Sequence, residues 1–339
     1  MDPPPVQFVT TSDGYSIAYT VCGQGTPLVF LSGSFSHSQL CWEHPVLAPL
    51  LEGLAERFKL VQFDLRGTGM SGRGLTDTHA SEDLKRDVEA VVDHLELRRF
   101  LFFATGGFGS FAAIDYCSTH PERLSALILS GAVLSSNSYR APALWDVLPA
   151  QDFETFLYSA MPRDLDQAER THLVRMYLQS YNQEDFVVLA STQPKSDLAD
   201  LLAALLMPVL ILHPRNVPFM TVEEATRVAQ VARGRMALVD GSFTFGEATS
   251  VLRAIDGFVA DLPPERFPEA PSTSPVADVS PRELEVLRLI AAGRSNAQIA
   301  DELVLSVNTV ARHVGNILGK TGTANRTEAA AYAREKNLI

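Results

Sequence analysis

The sequence predicts two folded parts: an α/β part with a mostly parallel sheet over 1–261, and an all-α part of four helices over 279–339. Three observations carry this division. Through the first part, short unbroken apolar runs alternate with amphipathic stretches, the pattern of strands buried on both faces between helical layers. In the last part, apolar residues recur only at helical spacing: Leu284, Leu287 and Ile290, then Ile299 and Leu303, then Val310, Val314 and Ile317. Between the two, residues 262–278 hold five prolines in seventeen positions, which forbid a continuous helix and favour extended chain. That segment is a linker, and 339 residues leave each part ample length for a core.

The elements follow in order. A hairpin of strands 6–10 and 16–21 turns around Asp13-Gly14 and belongs at a sheet edge. Strands are expected at 28–31, 59–63, 100–103, 126–129, 209–212 and 236–239, and helices at 45–57, 81–95, 108–119, 222–231 and 250–259. A long helical region, 136–206, interrupts the alternation and would sit above the sheet as a cap. Its Leu144, Trp145, Phe153, Phe156, Leu157, Tyr158, Tyr177 and Tyr181 are enough to line an apolar chamber. In the tail, Gly293 ends the first helix and Ser306 is a good N-cap for the third. A helix over 307–319 with Val310, Val314 and Ile317 inward turns Asn308, Thr309, Arg312, Asn316 and Lys320 outward. Such a face offers groups for base edges and phosphates.

Charge and cysteine usage narrow the classes. The chain carries a net −12, but its tail from Val279 holds 8 Lys/Arg against 6 Asp/Glu, so the tail is +2 and the rest −14. An acidic body repels phosphates, which leaves the tail as the credible nucleic-acid surface, with charge too modest for one copy to bind well. No stretch approaches a membrane span, and the opening Met-Asp-Pro-Pro-Pro lacks the basic and apolar parts of a signal peptide. Cys22, Cys41 and Cys117 have no metal or disulfide spacing and fit a reducing cytoplasm, the expected location; no metal and no cofactor are expected.

The tail resembles the LuxR-type helix-turn-helix. The resemblance rests on Pro281-Arg282-Glu283, Gly293-x-Ser295-Asn296-x-x-Ile299-Ala300, Thr309-Val310-x-x-His313 and Asn325-Arg326-Thr327-Glu328-Ala329. It implies binding to double-stranded DNA, adds His313 and Arg326 to the outward set as DNA contacts, and implies a homodimer paired through the last helix. The family often has Lys where this chain has Ala311. The first part resembles the α/β-hydrolase superfamily, through Leu31-Ser32-Gly33 followed by Trp42, Phe63-Asp64-x-Arg66-Gly67-x-Gly69-x-Ser71, and His120-Pro121-Glu122-Arg123-Leu124.

The catalytic positions that this second resemblance implies are vacant. The nucleophile should stand on a sharp strand-to-helix turn, Gly-x-Ser-x-Gly. Counted back from His120-Pro121, that turn is Thr105-Gly106-Gly107-Phe108-Gly109, so Gly107 holds the nucleophile position and glycine removes the strain of the turn. Asn216 stands where the acid should be and Thr244 where the base should be, and no histidine occurs between His213 and His313. Without an imidazole to take its proton, a serine is a weak nucleophile at neutral pH. The expectation is therefore a regulator, not an enzyme: a pseudo-hydrolase domain that binds a small, rather apolar ligand beneath its cap. Ser34, Phe35, Trp42, Gly107, Phe108 and Thr244 are the candidate ligand contacts, and amides near Ser34 and Phe108 form an oxyanion site. His37 and His44, in the loop after the first parallel strand, read either as ligand contacts or as ordinary satisfied histidines. Asp64 reads as a structural group bonding loop amides. Two other readings stay open: an active hydrolase with a relocated set using His213, and a protein-interaction module controlling the tail.

Overall fold

The computed structural model describes residues 2–33, 35–79, 81–135, 138, 148–162, 165–192, 198–217, 220–267, 280–303, 305–321, 323 and 325–335. The chain divides into two compact units, Met1–Pro268 and Glu269–Ile339. Ser34, Leu144, Trp145 and most of the proline-rich segment lie outside the described residues.

The first unit is built on an eight-stranded sheet in the order β1-β2-β4-β3-β5-β6-β7-β8. Strands β1 (Gln7–Thr10) and β2 (Ser16–Cys22) form the expected antiparallel hairpin, with Gly14 at φ 94° where a side chain would be strained. Strand β2 adds to β4 (Lys59–Phe63) antiparallel, and from β4 onward every pairing is parallel: β3 (Pro27–Ser32), β5 (Phe100–Thr105), β6 (Leu124–Ser130), β7 (Val209–Pro214) and β8 (Arg235–Val239). Every residue of β5, β6 and β7 is buried, which requires cover on both faces. Cover comes from α1 (Leu47–Arg57), α2 (Ser81–His94), α3 (Gly106–Thr119) and, after β7, α8 (Val222–Val231) and α9 (Ala248–Ala260). Helix α1 packs on α9, α2 on α3, and α8 on β7 and β8.

Between β6 and β7 the described residues of the predicted cap region include the helices α4 (Phe153–Ala160), α5 (Gln167–Ser180), α6 (Gln183–Thr192) and the short α7 (Ala199–Ala203). Sequence chemistry fixes the starts of the first two. Asp152 caps α4 by accepting from the Thr155 amide, and Asp166 with Glu169 makes a reciprocal capping box at α5.

Asp64, at the end of β4, does what its turn chemistry predicts: it accepts from the Ser36 and Ser38 hydroxyls and from the Ser38 and Met70 amides at 2.9–3.0 Å. Arg66 then ties this turn to the hairpin and to α2, donating to Asp13 at 2.7 Å and to Asp87 at 2.8 Å while its guanidinium covers the Tyr15 ring. Burial pushes the Asp87 carboxyl up to about 6, with Arg66 pulling against it, and Arg66 holds Asp13 well below the ordinary carboxylate range.

The described residues of the second unit form four helices: α10 (Pro281–Ala291), α11 (Asn296–Leu303), α12 (Val307–Thr321) and α13 (Arg326–Glu335). Ser280 and Glu283 form a capping box with Pro281 at the first helical position, and Gly293 at φ 79° stops α10. The core is Val286, Leu287, Ile290, Ile299, Val310, Ile317, Ala329 and Ala333. Leu284 is only half-buried, so Val286 takes the inward place that the apolar spacing gave to it. No helix among the described residues is long and apolar enough to cross a membrane.

Candidate functional site

In the first unit the strand-to-helix turn lies one residue earlier than the sequence count. Strand β5 ends at Thr105, and Gly106, not Gly107, takes the left-handed conformation at φ 67°. Gly107 is already the second residue of α3 and half-buried. The shift is possible because the two glycines are adjacent and either can turn the chain without a Cβ penalty. The turn is then gripped from the side: a Cβ on Gly109 would come within 2.8 Å of the Gly33 amide nitrogen, so the loop after β3 lies directly on α3. Ser110, inside the helix, is buried with its hydroxyl unpartnered.

The expected oxyanion site is partly spent on internal bonds. Gly33 N–H donates to the Thr105 carbonyl at 2.7 Å, and Phe35 N–H donates to Ser32 Oγ at 3.2 Å. Ser34 itself is outside the described residues. Phe108 N–H remains in the first turn of α3, where helix geometry supplies no intrahelical acceptor and Thr105 offers no side-chain cap.

The two residues expected at the acid and base positions are Asn216 and Thr244. Asn216 is exposed, its backbone N–H donating to the Gly241 carbonyl at 3.1 Å, and its neighbour Val217 is buried. Thr244 is buried beside Gly131. His213 is buried on β7 with its imidazole pushed toward the neutral form by burial, and no hydroxyl among the described residues hydrogen-bonds to it.

Phe35, Trp42 and Phe108, the aromatic candidates, are all buried, and Phe35 and Phe108 pack against rings of the cap. Phe186 on α6, which the sequence reading passed over, stands at the centre of the cap contacts. Its ring lies 5.6 Å from Phe108, 5.1 Å from Phe153, 5.3 Å from Phe156 and 5.3 Å from Tyr181. Phe35 joins the cap to the loop after β3, lying 4.8 Å from Tyr177 of α5 and 5.3 Å from His44. His44 in turn packs against Phe243 at 5.4 Å and Phe245 at 5.2 Å, the two residues flanking Thr244. Tyr158 is only partly buried, its hydroxyl 3.2 Å from Thr171. His37 is a local turn residue, its Nδ1 accepting from the Gln39 and Leu40 amides.

The second unit turns part of its predicted face to other work. Arg312 and Asn316 are exposed on α12, and Arg312 has no partner among the described residues. Thr309 is half-buried at the start of the helix, where Ser306 Oγ accepts from its amide at 3.1 Å and lies 2.8 Å from its hydroxyl. His313 is half-buried with Nδ1 unpartnered; the Asn308 side chain is outside the described residues. Lys320 does not stand free for a phosphate: its ammonium donates to Glu283 at 2.8 Å, and Glu283 is 4% exposed. Burial pushes the Glu283 carboxyl up, but Lys320 and Ser280 outweigh it and hold it below its ordinary value. Arg326 is likewise engaged, donating to the Arg294 carbonyl and to Asn296 Oδ1 at 3.4 Å, which pins α13 to the turn before α11. Arg294, missed in the sequence, is a cation of this unit whose side chain is exposed, with only a 3.8 Å approach to Glu302.

Comparison with known proteins divides the chain the same way. Residues 277–333 match the family described as bacterial regulatory proteins, luxR family, and residues 26–214 match the alpha/beta hydrolase fold. Over 65 residues, 19% of this chain, it is 43% identical to the transcriptional regulatory protein LiaR of Bacillus subtilis strain 168, and the match spans 31% of that regulator's length. Over 282 residues, 76% of this chain and 96% of the relative, it is 25% identical to a protein of Mycobacterium phage D29 with the provisional name non-heme haloperoxidase. A thermophilic esterase from Thermogutta terrifontis shares the fold of the first unit at a TM-score of 0.64 and 18% identity, over 76% of this chain and 99% of that one.

Proposed function

The chain belongs to the alpha/beta hydrolase fold family and ends in a LuxR-type helix-turn-helix domain, and from that premise we propose a DNA-binding transcription regulator whose hydrolase-fold unit senses a small apolar molecule without hydrolysing it. The observation that carries the proposal is the state of the three catalytic positions. Glycines occupy the strand-to-helix turn, Val217 and Asn216 replace a carboxylate, and Thr244 replaces an imidazole. A serine placed on that turn would still lack a group to take its proton. What the fold retains is a cap whose aromatic side chains meet the sheet, the composition of a ligand chamber. The second unit keeps Arg312 and Asn316 outward on the helix that would enter the major groove.

Three measurements test this. Selection from a randomised pool of duplex DNA should enrich one sequence with two-fold symmetry; no enrichment over the isolated first unit would remove the regulator reading. Short-chain p-nitrophenyl esters should not be turned over by the full chain. Turnover abolished in His213→Ala would replace the sensor with an enzyme. A bound ligand should raise the melting temperature of the first unit taken alone, since that unit has its own core.

A further inference from the structure

His44 is held in one tautomer by the backbone that follows it. Its Nδ1 accepts from the Val46 and Leu47 amides, each at 3.2 Å, at the start of α1. An imidazole nitrogen that accepts two N–H bonds carries no proton, so in the neutral ring the proton sits on Nε2. That nitrogen is buried and has no partner, in a residue that is 0% exposed. The opposite edge of the ring is spent on the amides, and the ring as a whole is packed among Phe35, Phe243 and Phe245, with Tyr177 of the cap against Phe35. A buried donor left unsatisfied forfeits its bond to water with no replacement, so its retention calls for an occupant that completes it.

Two more polar atoms of this region are in the same condition. Trp42 Nε1–H, two residues before His44, is buried without a partner, and so is the hydroxyl of Tyr181, at the C-terminal end of the cap helix that carries Tyr177. An indole N–H and this imidazole N–H only donate. Burial also keeps the His44 ring neutral, pushing it down to about 3. The complement of unpartnered donors in an aromatic setting is a neutral molecule with an acceptor oxygen. A cation would meet the positive ends of N–H dipoles, and a carboxylate would enter apolar surroundings without a countercharge.

Resting on the sensor reading above, we infer that His44 is the polar recognition residue of the cap chamber, its Nε2–H donating to a carbonyl oxygen of a neutral, apolar ligand. The test uses three small probes of one size with the full chain: acetophenone, the carbonyl-free isostere α-methylstyrene, and the cation phenyltrimethylammonium. The wild type should prefer acetophenone to α-methylstyrene by roughly 5–10-fold, the value of one hydrogen bond. His44→Asn keeps an oxygen where Nδ1 accepts the Val46 and Leu47 amides but removes the Nε2–H, so it should fold and bind the two neutral probes alike. In wild-type protein with 15N-labelled histidine, the His44 Nε2–H proton should move downfield with acetophenone and not with the hydrocarbon. A preference unchanged in His44→Asn, or an unmoved Nε2–H signal on binding, overturns the role of His44 while leaving the sensing chamber standing. Tighter binding of the cation overturns the ligand class. Binding of none of the probes overturns the chamber, and with it this assignment.

Discussion

Arg312 and Lys320 lie on one helix face by sequence spacing, yet the structure gives them different work. Lys320 neutralises Glu283, which is buried and also holds the cap of α10. Lys320→Met should therefore lower the stability of the second unit by about 1–2 kcal/mol, discounted because the ammonium is partly solvated; a denaturant midpoint followed on the 269–339 fragment reads it. Arg312→Ala should leave that midpoint alone and weaken binding to the selected DNA by about 1–3 kcal/mol. Unchanged affinity would remove Arg312 from the interface. Spacing alone could not separate the two residues, because the partner of Lys320 lies on another helix and a helical period reports only which way a side chain leaves its own axis. His44 was half legible for a similar reason: the sequence left it as either a ligand contact or a satisfied histidine, and could not show that one nitrogen would hold the start of α1 while the other was sealed among aromatics. The first unit also carries a pH signature. His44 is pushed down to about 3 by burial, and His37 and His213 shift in the same direction from the same first cause. The unfolded chain takes up protons below about pH 6.5 that the folded chain refuses. Stability is thus fully present above that pH and is lost as pH falls toward 3. His44→Asn should flatten the slope by up to about 1.4 kcal/mol per pH unit; urea titrations from pH 7 to 4 would show whether it does.

At the scale of elements, the strands were legible and their ends were not. The central parallel strands β5, β6 and β7 are unbroken apolar runs because both their faces are covered, and the six predicted runs fall inside β3 to β8. The turn after β5 was misplaced by one residue because Gly106 and Gly107 are equivalent in sequence, and only the chain's path decides which takes positive φ. The aromatic site was legible in kind but not in membership. Phe186, Phe243 and Phe245 come from elements whose approach to Phe35 and Phe108 depends on how the cap and the loop after β8 pack. The turn yields a paired prediction. Gly106→Ala puts a Cβ into the left-handed region and should cost about 1–2 kcal/mol in the first unit. Gly107→Ser, already helical, should cost less and should create no esterase, because the loop after β8 brings Thr244 and no histidine. Thermal melts of both variants and an ester assay on the second check this; hydrolysis by Gly107→Ser would show that a base reaches the turn.

Across the whole molecule, charge sets how the tail can meet DNA. The last sixty-one residues carry a net +2 and the rest −14. The structure reduces the useful cations further. Lys320 and Arg326 are engaged as described; Arg282 donates to the Leu303 carbonyl and pairs with Glu285, and Arg334 donates to the Ala291 carbonyl. Among the described residues, Arg312 and Arg294 are exposed cations without a short ionic partner. Each neutralised phosphate contributes about −0.9 to the slope of log K against log salt, so one tail with two or three such contacts should show a shallow slope of roughly −2 to −3 and weak binding. Two tails on a two-fold site should double the slope and supply the affinity that one lacks. Full-length chain should accordingly bind its selected sequence as two copies per site, read by sedimentation with labelled duplex; tight binding at one copy would contradict it. The acidic unit adds a second, separable effect. The 269–339 fragment, freed of the net −12 carried by residues 1–268, should bind non-specific duplex more tightly than the full chain at low salt. The two should converge near 1 M salt, where the screening length falls to about 3 Å. A gap that persists at high salt would mean that the first unit hinders the tail by direct contact instead of by its field.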